Sequence, residues 1–187
     1  MILLARHGET DDNVAPLRFQ GQRDTPLNDA GREQARALAE RVAAGPLVRS
    51  LWTSDLMRAR ETAEIVGARI GLAPRVDARL REGDRGDWEG FLFDEIAAAE
   101  PERYAAWRRG GASFRFPGGE SLAEQQARVL AALADVESAG ELPALVVCHG
   151  GSIRVVLCRD DPRGLDAFHT FEVPNVAVVE LTSAVRS

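Results

Sequence analysis

The chain has no lysine: every one of its 23 basic residues is arginine. That absence excludes a Walker-type phosphate loop, whose lysine reaches the terminal phosphates, and a lysine Schiff base of the pyridoxal kind. Cysteine is nearly absent too. Cys148 and Cys158 are too few for a disulfide framework. With three histidines (His7, His149, His169) lacking H-x-x-x-H spacing, no zinc site or other metal centre is expected, and no cofactor. No apolar run approaches the ~18–20 residues of a membrane span. Met1 leads straight into an apolar segment without a basic n-region, so neither a cleaved signal nor a membrane anchor is expected, and a cytoplasmic location is. Positive charge is in deficit, with a net charge of −6, which argues against non-specific binding to nucleic acid or to a membrane surface. Since arginine carries all the positive charge, each arginine has to be argued by its position.

What remains is ordinary globular material: 187 residues, 45% hydrophobic and 28% charged, enough for one domain with a sizeable core. Apolar runs at 1–5, 47–53, 144–148 and 176–182 read as buried strands, with 75–80 a weaker candidate. Helical periodicity lies between them. Segment 29–44 places Ala35, Leu38, Ala39 and Val42 at 3.6-residue spacing, and 55–70 does the same with Leu56, Ala59, Ala63, Ile65 and Val66 before Gly71. Ser121-Leu-Ala-Glu124 is a capping box opening a helix to about 137, and a further helix is expected over 151–158. Alternating strands and helices predict an α/β fold: a three-layer α/β/α arrangement with a mostly parallel central sheet. The chain, 1–187, reads as a single domain with a small helical and loop cap inserted at about 83–119. That insert is rich in Gly, Arg and aromatics (Trp88, Phe91, Phe93, Tyr104, Trp107, Phe114, Phe116), which are expected to fill the space between cap and core.

In open α/β sheets, ligands bind beyond the carboxyl ends of the strands. Three strands here end in polar residues: Arg6-His7-Gly8, Thr53-Ser54-Asp55 and His149-Gly150-Gly151, with a fourth candidate ending at Glu82. An imidazole held beside a guanidinium and a glycine backbone can attack a phosphoryl group. One such ending would as readily be a packing or capping site; several on one rim favour a functional site.

Six ordered segments then carry a resemblance. They are Arg6-His7-Gly8-Glu9-Thr10 with Asn13; Phe19-Gln20-Gly21-Gln22 through Pro26-Leu27 and Gly31; Thr53 through Thr62; Leu80-Arg81-Glu82 with Gly86-Asp87-Trp88-Glu89-Gly90; Pro117 through Ser121; and Val146 through Gly151. Together they resemble the histidine phosphatase superfamily in its phosphoglycerate-mutase-like branch, and the fourth segment resembles phosphatase members. The resemblance implies a phosphomonoesterase acting on a small phosphorylated metabolite through a phosphohistidine on His7. Arg6 and Arg58 would bind the phosphate and keep His7 neutral; His149, protonated when phosphate is bound, would stabilise the equatorial oxygens. Asn13, Gln20, Gly21 and Gly150 would supply further donors, the glycines through backbone amides. Glu82 would protonate the leaving oxygen and then activate water, its pKa lowered by arginines and raised by burial and bound phosphate. Glu89 and Glu120 lie in the same stretch, and Glu120 could equally fix a loop. His169 matches no motif and reads as a surface or core residue. Substrate choice would fall to the cap, where Arg85, Arg108, Arg109 and Arg115 could meet an extra anionic group, and Trp107 and Phe91 an apolar or ring-shaped one. Dimers are common among such proteins, but this sequence shows no interface signal, so a homodimer stays open.

Three rivals remain. Cys148-His-Gly-Gly-Ser-Ile-Arg154 fits a C-x5-R pattern, with Cys148 as nucleophile and Arg154 as phosphate fork, but leaves the other five segments unexplained. A cofactor-dependent phosphoglycerate mutase would use the same intermediate. A non-catalytic phospho-ligand binding module would be expected to have lost the histidine or an arginine, and neither is lost here.

Overall fold

The computed structural model describes residues 1–181. A five-stranded sheet has the order β3 (Arg75–Val76), β2 (Ser50–Thr53), β4 (Ala144–Cys148), β1 (Ile2–Arg6), β5 (Val178–Leu181). The first four are mutually parallel and β5 runs antiparallel to β1. Arg6 lies opposite Cys148 and Thr53 opposite Val147. The three central strands therefore end at one level, and His7, Ser54 and His149 leave the sheet on a single rim.

The helices are α1 (Asp29–Ala44), α2 (Met57–Ile70), α3 (Phe93–Ala99), α4 (Pro101–Arg109), α5 (Leu122–Ser138) and α6 (Gly150–Cys158). The period-2 alternation of β4 divides the core. Leu145 and Val147 join Leu38, Ala39, Ala59, Ala63 and Val66 of α1 and α2 on one face. Ala144, Val146 and Cys148 join Val129, Leu133, Val136, Ile153 and Val156 of α5 and α6 on the other. Caps set the boundaries: the Asn28 side chain accepts from the Gly31 amide at 2.8 Å to start α1, and Ser121 with Glu124 forms the expected box at α5.

Several boundaries differ from the sequence reading. Strand β2 starts at Ser50, with Leu47 exposed. Helix α2 begins at Met57, because its amide is capped from a distance by Asp24 Oδ1 at 2.6 Å. Strand β3 has two residues instead of running to 80; the Asp77 carboxylate accepts from Arg79 N and bends the chain into a 3-10 turn, Ala78–Leu80. Of the run 176–182, Thr182 lies outside the described residues. Among the described residues no helix is long and apolar enough to cross a membrane.

Segment 83–119 carries α3, α4 and a 3-10 turn, Gly86–Trp88. Its Trp88, Trp107, Phe114 and Phe116 are buried in one cluster, with Phe93 and Tyr104 at the edge and Phe19 contributed by the N-terminal loop. Many of the ring pairs meet edge to face, such as Trp88 with Phe116 at 5.4 Å and 87°. Phe91 departs from the expected packing: it is half-exposed, while its carbonyl accepts from Phe19 N.

Candidate active site

A cavity of about 300 Å³ opens at the carboxyl ends of the strands. Arg6, His7, Asn13, Gln20, Gly21, Glu82 and Gly150 line it, while Arg58 and His149 do not line it but are fully buried against lining residues, Arg58 on Gly21 O and His149 beside the His7 ring. The close approach beneath it depends on two glycines. A Cβ on Gly8 would fall 2.3 Å from the Gly31 carbonyl oxygen, and one on Gly31 would fall 2.1 Å from that of Glu9. The turn after β1 thus rests backbone to backbone on the start of α1.

His7 is buried, and its Nδ1 stands 2.6 Å from the Gly8 carbonyl oxygen. A carbonyl only accepts, so Nδ1 carries the hydrogen and Nε2 keeps a lone pair. Burial, then the charges of Arg58, His149 and Arg6, drive its pKa well below the ordinary histidine value, so the ring is neutral at physiological pH. The His149 ring lies 5.2 Å away at 58°, fully buried, with neither nitrogen hydrogen-bonded. Burial first, then Arg58, Arg128 and Arg6, lowers its pKa as well.

The cations here are short of anions. Arg58, fully buried, donates through Nη1 to Arg23 O and through Nη2 to Gly21 O, both at 2.7 Å, and its Nε has no partner. Burial pulls its pKa down to about 10 against the pull of Glu82, Asp24 and Asp12, which leaves it charged at neutral pH. Arg6 donates from Nη1 to Val173 O at 2.7 Å, and its buried Nε is also unpartnered. Neither makes an ion pair among the described residues. Buried guanidiniums without carboxylates are costly unless an anion completes them.

Glu82 is held tightly. Oε1 accepts from Gly83 N at 2.8 Å and Gln125 Nε2 at 2.9 Å, with Arg85 Nη2 at 3.4 Å; Oε2 accepts from Gly151 N at 2.8 Å. Burial pushes its pKa up, but Arg85, the two amides and Arg58 outweigh that and hold it at about 2. Glu82 is therefore a carboxylate at neutral pH. The neighbouring acids are loop fixers: Glu89 Oε1 accepts from Gln22 N and Arg85 N, and Glu120 pairs with Arg128 while accepting from Asp84 N. Neither lines the cavity.

His149 is the extended residue before α6, so Gly150 and Gly151 present the first amides of a nine-residue helix to the cavity rim. Asn13 accepts from Thr10 N at 2.9 Å, and Gln20 donates to Thr10 Oγ1 at 2.7 Å, so one threonine orients both side chains.

Three residues carry positioning roles that motif reading did not assign. Thr62 Oγ1 accepts from Gly8 N at 3.1 Å and donates to Arg58 O at 2.7 Å, tying the two cationic elements together. Gln125 braces Glu82. Asn175 Nδ2 donates to His7 O at 3.1 Å from a turn in which Val176 adopts φ +53°, a conformation rare for a β-branched residue. Thr62 closes one of the six segments quoted above. Asn175 has no local signal, because only the antiparallel return of β5 brings it to β1.

Cys148 faces the core and does not line the cavity, and burial pushes its thiol up to about 12. Arg154 Nε donates to Phe171 O at 2.9 Å. The C-x5-R pattern thus places a protonated, inaccessible sulfur where a nucleophile was required. His169 Nε2 lies 2.7 Å from the Trp107 carbonyl oxygen and pins the end of α4. Among the described residues no group of three or more His, Cys, Asp or Glu could hold a metal ion.

Phosphoglycerate mutase-like protein 4 of Arabidopsis thaliana is 40% identical over 165 residues, covering 86% of this chain and 71% of that protein. Glucosyl-3-phosphoglycerate phosphatase of Mycobacterium tuberculosis is 40% identical over 162 residues, covering 81% and 71%. A solved structure of mycobacterial glucosyl-3-phosphoglycerate phosphatase complexed with VO3 superposes with a TM-score of 0.84 at 35% identity, covering 95% of this chain and 88% of that one. Residues 2–185 match the histidine phosphatase superfamily (branch 1), and the chain belongs to that family.

Proposed function

We propose that the chain is a metal-independent phosphomonoesterase that hydrolyses a small phosphorylated metabolite, working in the cytoplasm as one domain whose segment 83–119 caps the site. The observation that carries this reading is His7: neutral, tautomerically locked through Nδ1, and surrounded by guanidiniums without anionic partners. Nε2 attacks phosphorus as the ester P–O bond breaks, and the leaving oxygen takes a proton from Glu82. Water then loses a proton to Glu82, attacks phosphorus and breaks the P–N bond, regenerating His7. Glu82 begins as a carboxylate, so its protonation is coupled to the arrival of a phosphate dianion, which opposes the arginines and amides that hold the charged form. The same dianion favours the protonated form of His149. Arg6, Arg58 and His149 offset the charge developing on the equatorial oxygens. Asn13 and Gln20 donate from their side chains, Gly21 and Gly150 from their amides. Every group named belongs to one copy of the chain, so the reading requires no homodimer.

The test is release of inorganic phosphate from a panel of phosphomonoesters in the presence of EDTA. His7→Ala should lose at least about 10³-fold in rate, while Cys148→Ala keeps most of its activity; the reverse pattern overturns the mechanism. An acid-labile, base-stable phosphoenzyme should be trapped with wild type and not with His7→Ala. The mutase alternative draws on the name of the Arabidopsis relative, and it prevails if phosphoglycerates are interconverted faster than phosphate is released.

A further inference from the structure

The turn 173–177, which leads into β5, grips the start of the candidate site from the far end of the chain. Val173 O accepts from Arg6 Nη1 at 2.7 Å, and Ala177 O accepts from Arg6 N at 3.0 Å. Between them, Asn175 Nδ2 donates to His7 O at 3.1 Å, and Val176 N donates to the same oxygen at 3.4 Å. One short turn thus holds the backbone of His7 together with the backbone and the head group of Arg6. Asn175 Nδ2 also donates to a second element, reaching Asn13 Oδ1 at 3.4 Å.

That last contact bears on polarity. Asn13 Oδ1 already accepts from Thr10 N at 2.9 Å, so with Asn175 both of its lone pairs meet donors. An amide whose oxygen is held in this way presents its nitrogen on the opposite side, and Asn13 lines the cavity. Asn175 is fixed by the same logic, because His7 O and Asn13 Oδ1 are both acceptors and only its nitrogen can serve them. The turn that makes this possible is strained. A φ of +53° at Val176 persists only where the surroundings over-determine it. Here they include Arg41, an exposed residue in the last turn of α1, which donates from Nη2 to Val176 O at 2.5 Å. Arg41 does not line the cavity, so the turn is anchored from outside at Val176 and from inside at Asn175.

Resting on the phosphomonoesterase reading, we propose that turn 173–177 is a positioning clamp and that Asn175 is its positioning residue. It locks the Asn13 amide with Nδ2 turned towards the phosphate, in register with His7 and Arg6. Asn175 acts on the phosphate through Asn13, and the strain at Val176 is the cost of presenting it there.

The test is a double-mutant cycle in orthophosphate affinity, measured by calorimetry so that no turnover is needed. Asn175→Ala should weaken binding about tenfold when Asn13 is present, and about twofold or less in an Asn13→Ala background. Equal factors in the two backgrounds overturn the proposal, because a merely structural loss would weaken both alike. An affinity that Asn175→Ala leaves unchanged overturns it as well. Arg41→Ala alters an exposed side chain and tests the clamp from its outer end, whether or not Asn175→Ala folds. It should weaken binding about threefold, and again only while Asn13 is present; no change, or the same change in both backgrounds, overturns the proposal. Failure of the phosphomonoesterase reading would appear separately, as orthophosphate binding with this pattern but no phosphate release from any ester. A wild type that does not bind orthophosphate overturns both.

Discussion

A buried imidazole next to arginines is a base held back from protonation, and each nearby residue contributes to that state for a separate physical reason. The Gly8 carbonyl selects the tautomer, Arg6 and Arg58 disfavour the imidazolium, and Asn175 fixes the backbone oxygen of His7. Glu82 is the complementary case, a carboxylate kept charged by donors. Its pKa sits at about 2 against an ordinary 4.5. At about 1.4 kcal/mol per pH unit that difference is worth of the order of 3 kcal/mol. Because the folded-state value is depressed, the stabilisation is fully present above about pH 4.5 and drains away as pH falls towards 2. Glu82→Gln should accordingly melt below wild type at neutral pH, and the gap should narrow between about pH 5 and about pH 3. A gap that stays constant over that range would contradict the assignment of Glu82 as the charged partner of the site.

The elements that deliver these residues were largely legible in the chain. Helix α1 spans 29–44 as its apolar spacing predicts, β4 covers 144–148, and the glycine pair after His149 opens α6. Legibility failed where a side-chain or backbone contact, most often to a partner distant in sequence but at Asp77 a local one, decided the outcome. Asp24 moved the start of α2, Asp77 cut β3 short, and Phe91 stayed outside the aromatic cluster because its backbone is engaged with Phe19. Asn175 went unseen for the same reason. Candidate-site residues carried by contiguous motifs (His7, Arg58, His149) could be read; the contact between Arg85 and Glu82, and the bond from Arg154 to the Phe171 carbonyl, needed coordinates. The meeting of the β1 turn with α1 makes a prediction that reverses the usual rule. Gly→Ala inside a helix normally stabilises by about 0.5–1 kcal/mol. At Gly31 the added Cβ would collide with the Glu9 carbonyl at 2.1 Å. Gly31→Ala should therefore destabilise by about 2 kcal/mol, a fall in Tm of about 4–8 °C, and should lower kcat by displacing Gly8. An unchanged Tm would show that the turn yields freely.

Over the whole molecule, two cores meet at the cavity. The sheet and its helices hold His7, Arg58 and His149, while the aromatic cluster of segment 83–119 reaches down through Phe19 to the loop that carries Gln20 and Gly21. Phe19 N donates to Phe91 O at 2.9 Å and Gly90 N to Phe19 O at 2.8 Å, so segment 83–119 is clasped to that loop by backbone bonds. A chain with net charge −6 thus concentrates positive charge in one buried place. The unpartnered Nε atoms of Arg6 and Arg58 have a further thermodynamic meaning. On the proposed function they would make the folded state an acceptor of free energy from solution, because an oxyanion would bind them only when the chain is folded. Orthophosphate at about 100 times its dissociation constant should add about 2.7 kcal/mol to the stability of the protein. In a melting experiment the increment should grow with the logarithm of phosphate concentration, be missing for chloride at equal ionic strength, and be largely lost in Arg58→Ala. The phosphate level around this protein would in that sense be one of the quantities that sets how much of it is folded.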